Sequence, residues 1–436
     1  VNSHYSVAVI GGGQAGLSMS WFLRQRGVDH VVFERESVGH EWRTRRWDSF
    51  CLVTPNWQCR LPGYSYTGDD PDGFMLGADV VDFLEKYAAS FDPPLLEGVG
   101  VTRLRRTRAG VFALETTAGN CTADQVVIAT GPYHVPAVPR IAERLPAGIT
   151  QIHSAQYRNP AQLPDGAVLV VGSGQSGCQI AEDLHLAGRD VHLAVGSAPR
   201  AARRYRGRDT LAWLDEMGHY ARGIDEFADA DEVRLRANHY MTGRDGGRDI
   251  DLRAFARDGM RLYGHLRGAA DSTLTFEDDL ARSLDNADAV AEGIKDAIDR
   301  YIDSAGIAAP AEARYVPVWR PESSEGVLDL AAAGISAVVW ATGFHRDHRW
   351  IEVPIFDGRG YPTHERGVTG CPGLYFLGLP WQWTWGSGRF AGVARDASYL
   401  CDRVLATRRR RFTDEVSWLA GTPTETYPQV EWWAAA

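Results

Sequence analysis

Twice in this chain a short apolar strand runs into a glycine-rich turn and then into a helical pattern. Val7 to Ile10 leads into Gly11-Gly12-Gly13-Gln14-Ala15-Gly16, an apolar helical spacing continues through Leu17, Trp21 and Leu23 to Gly27, and a strand from His30 to Phe33 ends at Glu34. After Gly166 the strand Ala167 to Val171 meets Gly172-Ser173-Gly174-Gln175-Ser176-Gly177, then a helix to Gly188 and a strand from Val191 to Val195. In each G-x-G-x-x-G the first glycine permits a tight turn, the second leaves backbone open to a pyrophosphate, and the third lets helix and strand pack closely. The anion sits on free N–H groups at the helix start, where the helix dipole favours it. Two such strand–helix–strand units predict an α/β protein with two Rossmann-like dinucleotide-binding domains, and a length of 436 residues allows for both.

The two units differ beyond their second strands. Eighteen residues after Gly16 comes Glu34, with Arg35 beside it, and a carboxylate there can accept hydrogen bonds from both ribose hydroxyls. The same count from Gly177 lands on Val195, with no acid nearby and with Arg200, Arg203 and Arg204 just downstream. Without the carboxylate a 2′-phosphate is not repelled, and guanidinium forks match its geometry, so the second unit is expected to prefer NADPH over NADH.

Elsewhere, Asp79 to Phe91 has helical spacing, and Val99 to Leu114 suggests strands around a polar turn. Val126 to Gly131 is a strand closing on Ala129-Thr130-Gly131, and Ala337 to Gly343 is a near copy closing on Ala341-Thr342-Gly343. Residues from about 200 to 307 are richer in Arg, Asp and Ala, carry helical patches and show no strand rhythm. They read as a mainly helical insertion or cap on the second domain. A strand from Gly373 to Leu377, a Trp- and Gly-rich stretch and a helix over Phe390 to Leu405 close the chain.

A net charge of −10 argues against a nucleic-acid partner and favours a small-molecule substrate. The basic run Arg408 to Arg411 reads as solvated surface. No apolar run approaches the ~20 residues of a membrane span, so no membrane association is expected. The six cysteines show neither a C-x-x-C pair nor a metal-ligand rhythm. They read as reduced packing residues in a cytoplasmic protein without a metal.

The two fingerprints, both Ala-Thr-Gly strand ends, and Trp42-Arg43 with Trp47-Asp48-Ser49 and Thr54-Pro55 after it resemble the flavin-containing monooxygenase superfamily over nearly the whole chain. Within it the sequence is most similar to bacterial flavoproteins often labelled as monooxygenases. The resemblance implies FAD on the first fingerprint, NADPH on the second, and Trp42, Arg43, Asp48 and Thr54 along the flavin. It makes the turns at Thr130-Gly131 and Thr342-Gly343 the crossings between domains. The FAD-binding domain is then discontinuous, residues 1–148 and 325–436, with the NADPH-binding domain, 149–324, inserted in it. His153-Ser154 with Tyr157 resembles the family's histidine-containing signature, but the glycine and phenylalanine expected before the histidine are out of register. A structural role for His153 therefore stands beside a direct one. Asn56 falls near an asparagine that steadies oxygenated flavin and substrate in some members. Gly378 to Gly388, with Trp381, Gln382, Trp383 and Trp385, matches a segment that passes the isoalloxazine ring.

The cycle this implies has NADPH reduce the flavin, the reduced flavin capture O₂ as a C4a-hydroperoxide, and that species pass one oxygen to a small organic molecule, with N-hydroxylation or another N-oxidation favoured by resemblance alone. A reductase passing electrons to a protein or small-molecule acceptor is the alternative, with a flavin-binding sensor behind it. Assembly as a homodimer is left open.

Overall fold

The computed structural model describes residues 3–322 and 326–419. The expected domain boundary at 324/325 and the C-terminal residues 420–436 lie outside the described residues, as do the side chains of Arg410 and Arg411 in the basic run.

The first sheet is built on Ser3–Ile10, which lies parallel between His30–Phe33 and Gly119–Ile128. Leu374–Phe376 joins the free side of the end of Gly119–Ile128, again parallel. Val101–Arg106 and Phe112–Thr116 form the antiparallel pair expected around a polar turn and extend the sheet through Gly119–Ile128. The central strand reads as an unbroken apolar run because both faces are covered: Val7 and Val9 pack into one core, Ala8 and Ile10 into another. The first core is closed by the helices Gln14–Gln25, Gly77–Phe91 and Val393–Leu419, through residues such as Leu17, Leu84 and Leu400.

The second sheet has five parallel strands in the order Thr150–His153, Ile335–Trp340, Ala167–Val171, Val191–Ala194 and Arg261–Tyr263. This corrects two expectations. The strand that ends at the second Ala-Thr-Gly lies inside the second sheet, so that unit reaches Trp340; the chain rejoins the first sheet only at Ile351–Glu352. A boundary at 325 is too early because the late strand is flanked by Thr150–His153 and Ala167–Val171, a pairing that order along the chain does not reveal. The stretch from 200 to 307 does hold the helices Thr210–Glu216, Ala230–Leu235, Leu252–Arg257 and Leu280–Ala305. It also supplies the sheet's edge strand Arg261–Tyr263 and a hairpin of Leu266–Ala270 with Thr273–Phe276. These strands are three to five residues long, too short for an alternation to stand out.

The two crossings between sheets run side by side, with Val135–Pro136 antiparallel to Phe344–His345. Among the described residues no helix is long and apolar enough to cross a membrane.

Candidate active site

The two fingerprints repeat one geometry. Gly11 and Gly172 take φ of 109° and 102°, and a Cβ on either would lie 2.5 and 2.6 Å from the carbonyl oxygens of Ala129 and Ala341. Each Ala-Thr-Gly turn therefore packs directly on the first glycine of its fingerprint. A Cβ on Gly16 or Gly177 would fall 1.8 Å from the carbonyl oxygen of Gly11 or Gly172, so the third glycine is fixed by contact between helix and turn.

Gly13 and Gly174 differ from these. Each is the residue before its helix, in extended backbone with φ of −76° and −68°, and a Cβ there would meet open space. Nothing in the protein forbids a side chain at either position, so the open space suits something the chain does not itself contain. No side chain caps either helix, whereas the helices starting at Thr210, Ala230 and Leu252 are capped by Asp209, Asp229 and Asp251. An uncapped helix start behind a backbone cradle fits a pyrophosphate.

Glu34 stands over the first cradle, its carboxylate accepting from Gly12 N at 2.7 Å and Glu36 N at 2.9 Å. Arg35 is exposed and loosely paired with Glu36 and Glu41. Gln14 donates to the carbonyl of Gly388 at 3.0 Å, and Ala15 lies so close to Gly378 that a Cβ on that glycine would approach it to 2.9 Å. The late Trp- and Gly-rich segment is thereby held against the first helix start. At the second cradle Gln175 exchanges hydrogen bonds with the Met241 backbone, and Gln179 donates to the same carbonyl at 2.9 Å. Ser176 is half-buried beside it.

The remaining predicted residues divide. Trp42 stacks on Phe390, with centroids 6.2 Å apart, and lies under the Arg46 guanidinium. Asp48 accepts from Asn159 at 2.6 Å, and its own N–H donates to Arg158 O, so this segment ties the two units together. Thr54 is half-buried. Thr130 faces His134 at 3.3 Å, Gly131 has φ of 71°, and the Thr342 hydroxyl donates to the Ala137 carbonyl. Arg43 turns away to Glu85 and Ser37. Gln382 is buried, accepting from Leu379 N in its own segment and donating to Arg366 O in the turn after His364–Glu365.

Asn56 is buried. Its amide donates to Asp70 O and accepts from Met75 N, both at 2.9 Å, which makes it a clamp on the 70–75 loop. His153 is likewise structural: Nε2 donates to the carbonyl of Gly343 at 2.9 Å and Nδ1 accepts from Ala155 N. Burial lowers its pKa, in keeping with a neutral ring pinning the second crossing. Of the three arginines, Arg200 is buried against Asp288 and Arg203 against Asp209, while Arg204 is exposed and donates to Gly246 O at 3.1 Å. A phosphate on Arg200 or Arg203 would have to displace an internal carboxylate.

Sequence reasoning missed the buried Asp183 on the second fingerprint helix. One of its oxygens accepts from Ser49 at 2.6 Å and Arg244 at 2.9 Å, the other from Tyr157 at 2.7 Å. Tyr157 and Ser49 carried signals as motif residues, but Asp183 is an acid in an ordinary helix pattern and carried none. All six cysteines are free and buried, and among the described residues no group of three or more His, Cys, Asp or Glu could hold a metal.

The pyridine nucleotide-disulphide oxidoreductase family model matches residues 8–217. A CzcO-like oxidoreductase of Geobacillus kaustophilus is 31% identical over 407 residues, 92% of this chain and 98% of the relative. A flavin-containing monooxygenase from Stenotrophomonas maltophilia superposes with a TM-score of 0.64 at 20% identity, over 93% of this chain and 99% of the other. An ornithine N-hydroxylase of Kutzneria sp. 744, solved with reduced FAD, NADP⁺ and L-ornithine, does so with a TM-score of 0.59 at 16% identity, over 94% and 100%. With its twin cradles and this near full-length relative, the chain belongs to the CzcO-like oxidoreductases.

Proposed function

We propose that the protein is a monooxygenase that holds FAD on the cradle at Gly11–Gly16 and NADPH on the cradle at Gly172–Gly177, and transfers one atom of O₂ to a small organic molecule, at nitrogen. The observation that carries this reading is the pair of open, uncapped helix starts at Gly13 and Gly174. When bound, flavin and nicotinamide would supply the hydride and oxygen chemistry, and the protein's work is placement and exclusion of water.

Gly13 would back the flavin pyrophosphate and Glu34 would take the ribose. The rings of Trp42, Phe50 and Phe390 pack together, and Phe390 follows closely on Gly388, which Gln14 holds at the first helix start; such an apolar group would help keep water from a bound flavin. At the second cradle the Gln175–Met241 clasp fixes the helix start, and Asp183 binds that helix to Ser49 of the first unit. Arg204 is the arginine best placed to meet a 2′-phosphate, being exposed and without an ion-pair partner among the described residues. The fold of the ornithine N-hydroxylase supports nitrogen as the acceptor atom.

The buried thiols favour oxygenation over disulfide reduction. Burial pushes Cys59 up to about 12 and Cys401 up to about 11, and it raises Cys51, Cys121 and Cys178 as well, so none of these five offers a thiolate near neutral pH. The test is turnover of the flavin-loaded protein with NADPH under ¹⁸O₂ against a set of amines. One ¹⁸O atom in a product supports the reading. NADPH-driven reduction of an added acceptor with no label in any product would replace it with the reductase.

A further inference from the structure

Next to the segment held at the first helix start lies a cation that has no counter-ion among the described residues. Arg389 comes directly after Gly388, whose carbonyl is held by Gln14 at the first helix start. Its guanidinium lies 3.5 Å from the centroid of Trp385, and Trp385 stacks on Tyr220 at 4.4 Å. Tyr220 shares a cluster with Met241, the residue clasped by Gln175 at the second helix start, and with Ala201 and Leu211. The group thus touches both cradles through the segments that fix them. A substrate of an enzyme with two nucleotide cofactors must reach this region.

Arg389 is half-buried, and its one side-chain hydrogen bond among the described residues is to the neutral amide of Asn238 at 2.7 Å. Among the described residues no carboxylate comes within ion-pair distance of it. Neighbouring arginines behave otherwise: Arg200, Arg203, Arg206, Arg244 and Arg253 each reach an acid. Tyr133 and Tyr220 act on it electrostatically, and it acts in turn on His239. Burial, with His219 and Arg389 beside it, lowers His239 to about 4, so this ring stays neutral and leaves the guanidinium as the cluster's charge. Stacking on Trp385 eases the desolvation of Arg389 without neutralising it. A guanidinium whose fork is not matched by an acid, stacked on Trp385 with Tyr220 behind it, is suited to a planar oxyanion on an apolar body.

We infer that Arg389 is the substrate-anchoring residue, and that the substrate class is a small organic acid bearing the nitrogen to be oxidised, whose carboxylate pairs with this guanidinium while its apolar part lies along the aromatic rings. This deepens the monooxygenase reading and rests on it.

The test measures binding without turnover. Oxidised, flavin-loaded protein is titrated with benzoate, phenylacetate and 3-phenylpropionate, each beside its primary amide, and monitored by perturbation of the flavin absorbance. At least one acid should bind about tenfold or more tighter than its amide. Arg389→Gln should abolish that ratio at an unchanged flavin-to-protein ratio, and Arg389→Lys, which keeps the charge but not the stacked fork, should retain part of it. Equal binding of acids and amides by the wild-type protein would overturn the inference. So would an Arg389→Gln protein that keeps the ratio and instead loses affinity for NADPH, since the cation would then serve the nucleotide. Absence of ¹⁸O transfer in the turnover experiment would defeat the monooxygenase reading and leave this binding result standing, so the two failures are distinct.

Discussion

Gly13 and Gly16 are three residues apart, yet substitution at each should fail for a different reason. A Cβ on Gly16 runs into the Gly11 carbonyl, so Gly16→Ala breaks the packing of helix on turn and should lower expression and stability. At Gly13 the protein has room, so Gly13→Val should fold and yet emerge flavin-free, since the side chain fills the space left for the pyrophosphate. Gly174→Val should stay yellow and lose rapid reduction by NADPH. Absorbance of the purified variants, then anaerobic stopped-flow with NADPH, checks both; the reversed pattern would exchange the two nucleotides. Arg204→Ala should narrow the preference for NADPH over NADH by about tenfold or more, the scale of a lost charge-assisted phosphate contact. The ratio of kcat/KM for the two nucleotides measures it, and an unchanged ratio removes Arg204 from the 2′-phosphate.

At the scale of elements, the second fingerprint helix Gln175–Leu186 is joined to the first unit by one carboxylate. Asp183 gathers Ser49, Tyr157 and Arg244, so Asp183→Ala strands the Arg244 charge and the two hydroxyls in one step. A loss of about 3 kcal/mol is expected, in the range for removing one partner of a buried ion pair, against about 1 kcal/mol for Tyr157→Phe, which takes away one hydrogen bond. Urea midpoints of the three proteins check this, and equal, small losses would show that the helix is held by its apolar face alone. Local patterns were legible in the sequence where period and glycine agree, as at Val7–Gly16 and Ala167–Gly177. The return of the chain through Ile335–Trp340 was not, because a parallel strand inserted between two earlier ones leaves no mark in its own residues. Nor was the three-residue edge strand Arg261–Tyr263. At the site, the cradles and Glu34 could be read from spacing, whereas Asn56 and Arg203 could not be told from functional residues until their internal partners were seen. The reverse holds for Arg389, whose distinction is an acid that is not there.

Across the whole molecule, buried histidines set the response to acid. Burial holds His192, His239, His348 and His364 down at about 4, against 6.5 for a free imidazole. His192 and His348 are the most enclosed, and neither ring nitrogen of His348 has a hydrogen-bond partner where it lies between Phe356, Phe376 and His134. Unfolding lets these rings take up protons below pH 6.5, while the folded protein does not do so until about pH 4. Their contribution is therefore fully present above pH 6.5 and is lost as pH falls toward 4, at about 2 kcal/mol for each of the two enclosed rings between pH 7 and 5. Asp396 acts in the opposite sense. Burial raises it to about 6, so its folded form holds a proton that the unfolded chain releases, and it returns about 1 kcal/mol over the same interval. The histidines prevail, and the urea midpoint should fall steadily from pH 7 to 5. His348→Phe places an apolar ring among the same phenylalanines and removes the proton uptake, so it should recover about 2 kcal/mol of the acid loss while leaving neutral stability equal or higher. A slope with pH identical to that of the wild-type protein would show that the acid response arises elsewhere in the molecule.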